Sequence, residues 1–302
     1  MGDPEPVPPC ICAGRPDERC AMRKALAAAV LLAAAPVAVA QARRYDPADA
    51  PARATAAAVL SYGVAASKSD GELGGERLRA AIATACICLP AGSAARANAE
   101  SLRAADGDAK ALAKQAALLA SDLTFRPVAE AELPAGVPGF AVLDEVEVRT
   151  YPTYRMVKTA MKGGSMGAFW PLFNHIKDNE IAMTTPVQVD YAEDGERQRE
   201  ASMAFLYGSP DLGPLRKDGA VEVVDVPPLT VLTLGSRGYD RKSRVEELRE
   251  RMAAWLADHP EWEVAGAMRT MGYNSPSVGG NRRYFEVQIP IKPKAGKAQD
   301  AQ

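Results

Sequence analysis

The sequence predicts a pseudo-symmetric α+β domain with two helices packed on one sheet, preceded by a small helical segment. Three observations predict it. Val146-Glu147-Val148 followed by Pro152 returns as Val221-Glu222-Val223 followed by Pro227, 75 residues further on. After each copy come a β-rich run (Tyr154 to Met161, Leu229 to Leu234), a glycine-containing turn and a stretch of helical period, which marks a duplicated supersecondary unit. Residues 41–132, dominated by Ala, Arg, Asp and Glu with very few aromatics, differ in composition from everything that follows.

In chain order, Met22-Arg23-Lys24 precedes an apolar run from Ala25 to Ala40 that ends in Ala38-Val39-Ala40 before Gln41. A basic start, an apolar middle and a small-x-small end describe a secretory signal peptide cleaved after Ala40. The alternative is an inner-membrane anchor through residues 25–40, for which 16 residues is short. The acidic, Pro-rich residues 1–21 fit neither reading and place the expected start at Met22, outside Cys10, Cys12 and Cys20. Residues 1–40 are thus a signal region, and the expected location is the periplasm or the exterior.

In the Ala-rich segment 41–132, helices are expected over Ala54 to Val64, Gly75 to Cys88 and Ala94 to Ala120. In the third, Leu102, Ala105, Ala109, Leu112, Ala116 and Leu119 follow the 3.6 period, with Asp106-Gly107-Asp108 as a point of interruption. Cys86 and Cys88 cannot face each other on a helix. They read either as two small buried apolar residues or as a redox or metal pair.

Leu133 to Gly139 is dense in helix and strand breakers and reads as a linker. The main domain is expected over 140–293. Its strands read as Ala141–Arg149, Tyr154–Met161, Ala182–Tyr191, Arg199–Tyr207, Val221–Asp225, Leu229–Leu234, Glu263–Tyr273 and Arg283–Ile289. Its helices read as Ser165–Lys177 and Tyr239–Asp258, and residues 294–302 form a polar tail.

A net charge of −2 builds no basic field for nucleic acid, and membrane contact is expected only through the export signal. There is no H-E-x-x-H and no glycine-rich phosphate loop after a strand. With only two histidines, general acid–base schemes are restricted, and the expectation is a non-enzymatic protein.

The candidate chemistry sits on the first helix of the main domain. Phe169, Leu172, Phe173 and Ile176 fall on one stripe, which packs on the sheet and offers its bulky edge as one wall of an apolar groove. His175 lies roughly 100° or more from the centre of that stripe and reads as a solvated flank residue. His259 closes the second helix, where the dipole favours a cation. Arg282 and Arg283 could anchor carboxylates or form a solvated edge.

Ile181-Ala182-Met183-Thr184-Thr185-Pro186-Val187, together with Gly272-Tyr273-Asn274-Ser275-Pro276 and Asn281-Arg282-Arg283-Tyr284-Phe285-Glu286-Val287, resembles the signature segments of the SOUL family of haem-binding proteins. The resemblance covers about Gly139 to Pro293. It implies a distorted, barrel-like antiparallel sheet of about eight strands. It also implies binding of haem or a related tetrapyrrole, with Phe169 and Phe173 bordering the site. Some relatives carry a Lys on this helix where this chain has Asn174. Some place an iron-ligating His before the Tyr that ends the first strand, where this chain has Thr150 before Tyr151. Haem is therefore expected to be held without that His, mainly by apolar contact or through Met166, His175 or Tyr154. The expected ligand-contacting set is Phe169, Phe173, Met166, Asn174, His175 and Arg282. A second reading is binding or sensing of another flat hydrophobic small molecule, by fold-level analogy with bacterial regulators.

Overall fold

The computed structural model describes residues 45, 47–69, 72–194 and 197–294. The signal region, Cys10, Cys12, Cys20 and most of the polar tail lie outside the described residues. Four helices come first: α1 (Ala50–Ser69), α2 (Glu72–Cys88), α3 (Ala94–Ala104) and α4 (Ala109–Leu123). The third expected helix is two. Its chain breaks after Ala104 and restarts when the Asp108 carboxylate accepts from the Ala111 N–H at 2.7 Å, an N-cap that satisfies a free helix donor. Ser93 caps α3 in the same way through Arg96 N–H. The four helices share a core of Leu60, Leu78, Ile82, Leu112 and many alanines. Small side chains let the helices approach closely; a Cβ on Gly63 would stand 2.5 Å from that of Ala81. Cys86 is buried in this core, Cys88 is half-buried, and both thiols are free.

The second part is one sheet with two helices. Its strands are β1 (Val146–Tyr151), β2 (Tyr154–Ala160), β3 (Val187–Asp194), β4 (Arg197–Leu206), β5 (Arg216–Asp218), β6 (Val221–Val226), β7 (Leu229–Arg237), β8 (Trp262–Val264), β9 (Arg269–Gly272) and β10 (Tyr284–Pro293). Its helices are α5 (Gly164–Asp178) and α6 (Lys242–Asp258). The order is β1-β7-β10-β9-β3-β4-β2-β6-β5, with β8 pairing on β10. The pairings are antiparallel. Exchanging the two repeats (β1 with β6, β2 with β7, β3 with β9, β4 with β10) reverses this order, so a pseudo-two-fold axis passes between β3 and β9.

The order also dictates curvature. Six interstrand steps separate β1 from β2, about 29 Å in a flat sheet at ~4.8 Å per step. Yet only Pro152 and Thr153 join them, and three Cα–Cα steps reach about 11 Å. The same holds for β6 and β7 across Pro227-Pro228. The sheet must curl until its ends meet, which gives the barrel-like shape without a closing ladder. The α+β architecture is thus the expected one, with ten strands rather than eight. The additions are short: β5 is new, and the expected strand Glu263–Tyr273 is split into β8 and β9 by Ala265-Gly266-Ala267.

Both helices pack on the outer face. α5 lies over β2, β4 and β6, around Val157, Met203, Phe205 and Val223. α6 lies over β7 and β10, around Leu232, Leu234, Phe285 and Val287. The inner face is covered by the strap 125–143. Val137 and Phe140 are buried in it, so the stretch expected as a linker is packed against the sheet. For the same reason the first strand starts at Val146 and not at Ala141. Residues 139–143 bond instead to Tyr45 and to the side chains of Arg149, Tyr284 and Glu286, and pair with a strand backbone in one bridge, Leu143 to Gly235.

Candidate functional site

α5 begins at two glycines, Gly163 (φ 75°) and Gly164 (φ 78°), a left-handed conformation that costs glycine nothing. Gly167 is required one turn later, because a Cβ there would meet the Lys162 carbonyl oxygen at 2.5 Å. The helix buries Ala168, Leu172, His175 and Ile176. This stripe is rotated from the expected one, since small Ala168 lets the helix approach β4 and Tyr207 supplies a partner for His175.

The rotation carries the large rings to the rim. Phe169 and Phe173 are half-buried and stack with centroids 5.7 Å apart. Phe169 also meets Phe205 of β4 edge-on at 5.3 Å. Trp170 stands edge-on to both phenylalanines, at 5.6 and 5.9 Å. Trp170 remains 50% exposed and Met166 58% exposed. Exposed Trp170 thus joins the half-buried Phe169 and Phe173 in one aromatic cluster, and exposed Met166 lies one turn before it on α5. This edge is the candidate site on α5. Trp170 is the member that sequence reasoning passed over, because a residue opposite the core stripe reads as surface.

His175 is corrected by the structure. It is not a solvated flank residue: it is 7% exposed, with Nε2 3.0 Å from the Tyr207 hydroxyl. Burial, and then the nearby Arg216 charge, lower its pKa. Tyr154 is buried as well, its hydroxyl accepting from Arg269 Nη1 at 2.6 Å and donating to Gln188. Asn174 is exposed on α5. Arg282 is not brought to this edge. It sits in the short 3-10 turn 280–282 beside β7, in the other half of the sheet from the β2, β4 and β6 that carry α5. Arg283 serves that turn, with its guanidinium 5.1 Å over the Tyr239 ring and bonds to the carbonyls of Asn274 and Ser275. His259 caps α6, its ring stacked 3.6 Å from Trp255 and its Nδ1 2.7 Å from the Trp255 carbonyl. Thr150 faces Thr230 on the exposed side of β1.

A model of the SOUL heme-binding protein family matches residues 137–290. The chain belongs to the SOUL family. None of the curated proteins compared with it matches. Among solved structures, this SOUL protein is similar to the C-terminal domain of EcmrR at 12% identity, over 50% of this chain and 98% of that one, with a TM-score of 0.40. It is similar to a hydrolase from Listeria innocua at 11% identity, over 51% and 94%, with a TM-score of 0.39. EcmrR in a DNA complex matches at 11% identity and a TM-score of 0.41, and there the SOUL chain covers 50% of its own length and 58% of that of EcmrR.

The SOUL domain also holds a buried polar chain on its inner face that sequence reasoning missed. Glu286, with no exposed surface, accepts from Ala141 N–H (2.8 Å), Gln288 Nε2 (2.8 Å), the Tyr284 hydroxyl (3.0 Å) and Thr233 Oγ1 (3.3 Å). Gln288 passes the chain to Tyr151 and to Arg269, and Arg269 to Tyr154 and Gln188. Burial, reinforced by the Glu286 charge, raises the pKa of Tyr151, Tyr273 and Tyr284, so these hydroxyls stay protonated as donors. Burial works against the charge of Arg149, but the carboxylates of Glu286 and Glu147 outweigh it and raise its pKa. Buried charges are tolerated when paired and hydrogen-bonded, and here they pin the strap to the sheet.

Proposed function

We propose that the α5 edge of this SOUL protein binds haem or a related tetrapyrrole without catalysing a reaction on it. The observation that carries the reading is the half-exposed Met166–Phe169–Trp170–Phe173 edge. A tetrapyrrole is flat and largely apolar, so stacked and edge-on rings fit its faces. Exposed Lys162, at the start of α5, supplies a cation of the kind its carboxylates need. Bound haem would bring an iron centre able to take an axial ligand, and the exposed Met166 thioether is the group on this edge suited to that role. The near-balanced charge supports a small-molecule ligand over nucleic acid. The Met22–Lys24 start and Ala38–Ala40 end support export, with a mature N-terminus at Gln41 that N-terminal sequencing from the native host would reveal.

One observation favours a second reading. The His175 imidazole on α5 is turned inward onto Tyr207, so another flat hydrophobic molecule without a metal fits the edge as well. Titrations with haem and with iron-free porphyrin separate the two. Tetrapyrrole binding predicts that Trp170→Ala weakens both by about 1–3 kcal/mol, roughly 5- to 150-fold, with little change in melting because Trp170 is half exposed. If Trp170→Ala leaves both affinities unchanged, the edge is not the site.

A further inference from the structure

The structure assigns a second small-molecule site to this chain, beside α6 and lined by no residue of α5. A cleft of about 470 Å³ opens between the C-terminal half of α6 and the strand-free link 265–267. That is within the range of ligand pockets, and far above the water-sized voids that packed interiors tolerate. Its floor is the margin of the α6 core, where Met268 and Ile289 are buried. Its walls are small where they face each other: Ala253 on α6, and Gly266 and Ala267 on the link. The link cannot swing outward freely, because Gly266 packs on Pro290; a Cβ there would meet the proline ring at 3.2 Å. On the pseudo-symmetric α5 side, the aromatic rings of Phe169 and Phe173 fill space against the sheet. Beside α6, the space between Ala253 and the link 265–267 is open.

The chemistry of the cleft is specific in one respect. Gln198 of β4 reaches its wall, and its Oε1 is buried with no hydrogen-bond partner among the described residues. Buried acceptors are nearly always paired, so this atom is unmet until a donor arrives. The neighbouring polar groups are already committed: the Tyr191 hydroxyl bonds Thr270, and Arg249 pairs with Glu246. The cleft thus offers apolar walls, no uncommitted charge and one waiting acceptor. We propose that it binds a neutral, ring-sized apolar molecule bearing one O–H or N–H donor, of the size and kind of a two-ring aromatic alcohol. This site is independent of the tetrapyrrole reading, since no residue of α5 lines it.

The test uses the full chain with 2-naphthol and its methyl ether, 2-methoxynaphthalene, followed by their fluorescence. 2-Naphthol should bind saturably and about tenfold or more tighter than the ether, because only the alcohol can donate to Gln198. Gln198→Met, similar in shape but without the acceptor, should erase that preference. Ala253→Leu, at an exposed helix position, should fill the cleft and weaken both probes about tenfold or more at an unchanged melting temperature. Trp170→Ala should leave both affinities unchanged, which separates this site from the α5 edge. The proposal is overturned if 2-naphthol does not saturate, if it binds no better than the ether, or if binding survives a folded Ala253→Leu chain. Loss of binding in Trp170→Ala would likewise overturn it, moving the probe to the other site.

Discussion

His175 shows how one side chain sets a pH limit. Its pKa is lowered in the fold, so as pH falls the unfolded chain takes up the proton first. Its contribution to stability is complete above the ordinary value of 6.5 and drains away as pH falls through the lowered folded value. Asp178 and Asp218 favour the charged form and Arg216 opposes it, with burial as the largest influence. Urea-unfolding midpoints should therefore decline on the acid side of pH 6.5, and His175→Gln, which can still bond Tyr207, should flatten that decline. An unaltered acid limb in the variant would count against the assignment. Glu286 poses a larger test. Glu286→Ala would strand the Ala141, Tyr284, Gln288 and Thr233 donors, and urea unfolding should record a loss of about 3–5 kcal/mol. Neither residue could be read correctly from sequence. A carboxylate alternating with apolar residues in a strand reads as the wet face, yet the curled sheet and its strap leave β10 without one. For His175, the spacing placed it off a stripe whose true centre depends on where β4 puts the Tyr207 hydroxyl.

At the level of elements, most of the fold was legible. The period-2 runs and the duplicated Val-Glu-Val locate β1, β2, β6 and β7, and the apolar period locates α5 and α6. What failed was short or context-driven: three-residue β5, the split of β8 from β9, and the strap. The two family strings acquire a concrete role in that strap. Asn274 donates to the Val128 carbonyl at 2.6 Å and accepts from Tyr284 N–H at 2.8 Å. Ser275 bonds the Glu130 carboxylate through both its backbone N–H and its hydroxyl. Thr185 reaches the carbonyls of Glu132 and Ala131. Both strings thus clamp residues 128–132, which precede the matched family region. Asn274→Ala should cost about 1–3 kcal/mol by leaving these backbone groups without their partner, and hydrogen exchange should speed up at Tyr284. Exchange that speeds up only in α1–α4 would contradict the clamp.

For the whole molecule, the clamp decides where the chain can be shortened. The sequence places the boundary of an autonomous domain at Gly139, but Phe125, Ala129, Leu133 and Val137 pack into the clusters around Phe140 and Tyr151. We expect a chain beginning at Ser121 to melt cooperatively. One beginning at Pro138 should be less stable by several kcal/mol, since each buried apolar side chain contributes about 1.5–3. Equal melting temperatures for the two would show the strap to be dispensable. The helical segment adds further ties, among them Arg53 to Glu145 at 2.9 Å and Arg237 to Asp122 at 2.7 Å. The Arg237–Asp122 pair is partly exposed and contributes little, whereas Arg53 is buried between Asp49 and Glu145, so losing the segment should cost more than surface ion pairs alone would.

The two-residue links at Pro152 and Pro227 have a consequence for how such a molecule could have arisen. Each link is long enough for a hairpin, yet the order of the sheet keeps its two strands from pairing with each other. β1 therefore leans on β7, and β2 on β6. Every repeat lends its first strand to its twin and borrows one back, and β3 meets β9 at the seam between them. This is the anatomy of a swapped dimer written into a single polypeptide. A lone ancestral repeat would have carried unpartnered strand edges and could have satisfied them only by embracing a copy of itself. Fusing two copies would make that embrace permanent. Each flank of the fused chain would be free to differ, and here one carries the ring cluster of α5 and the other the cleft beside α6.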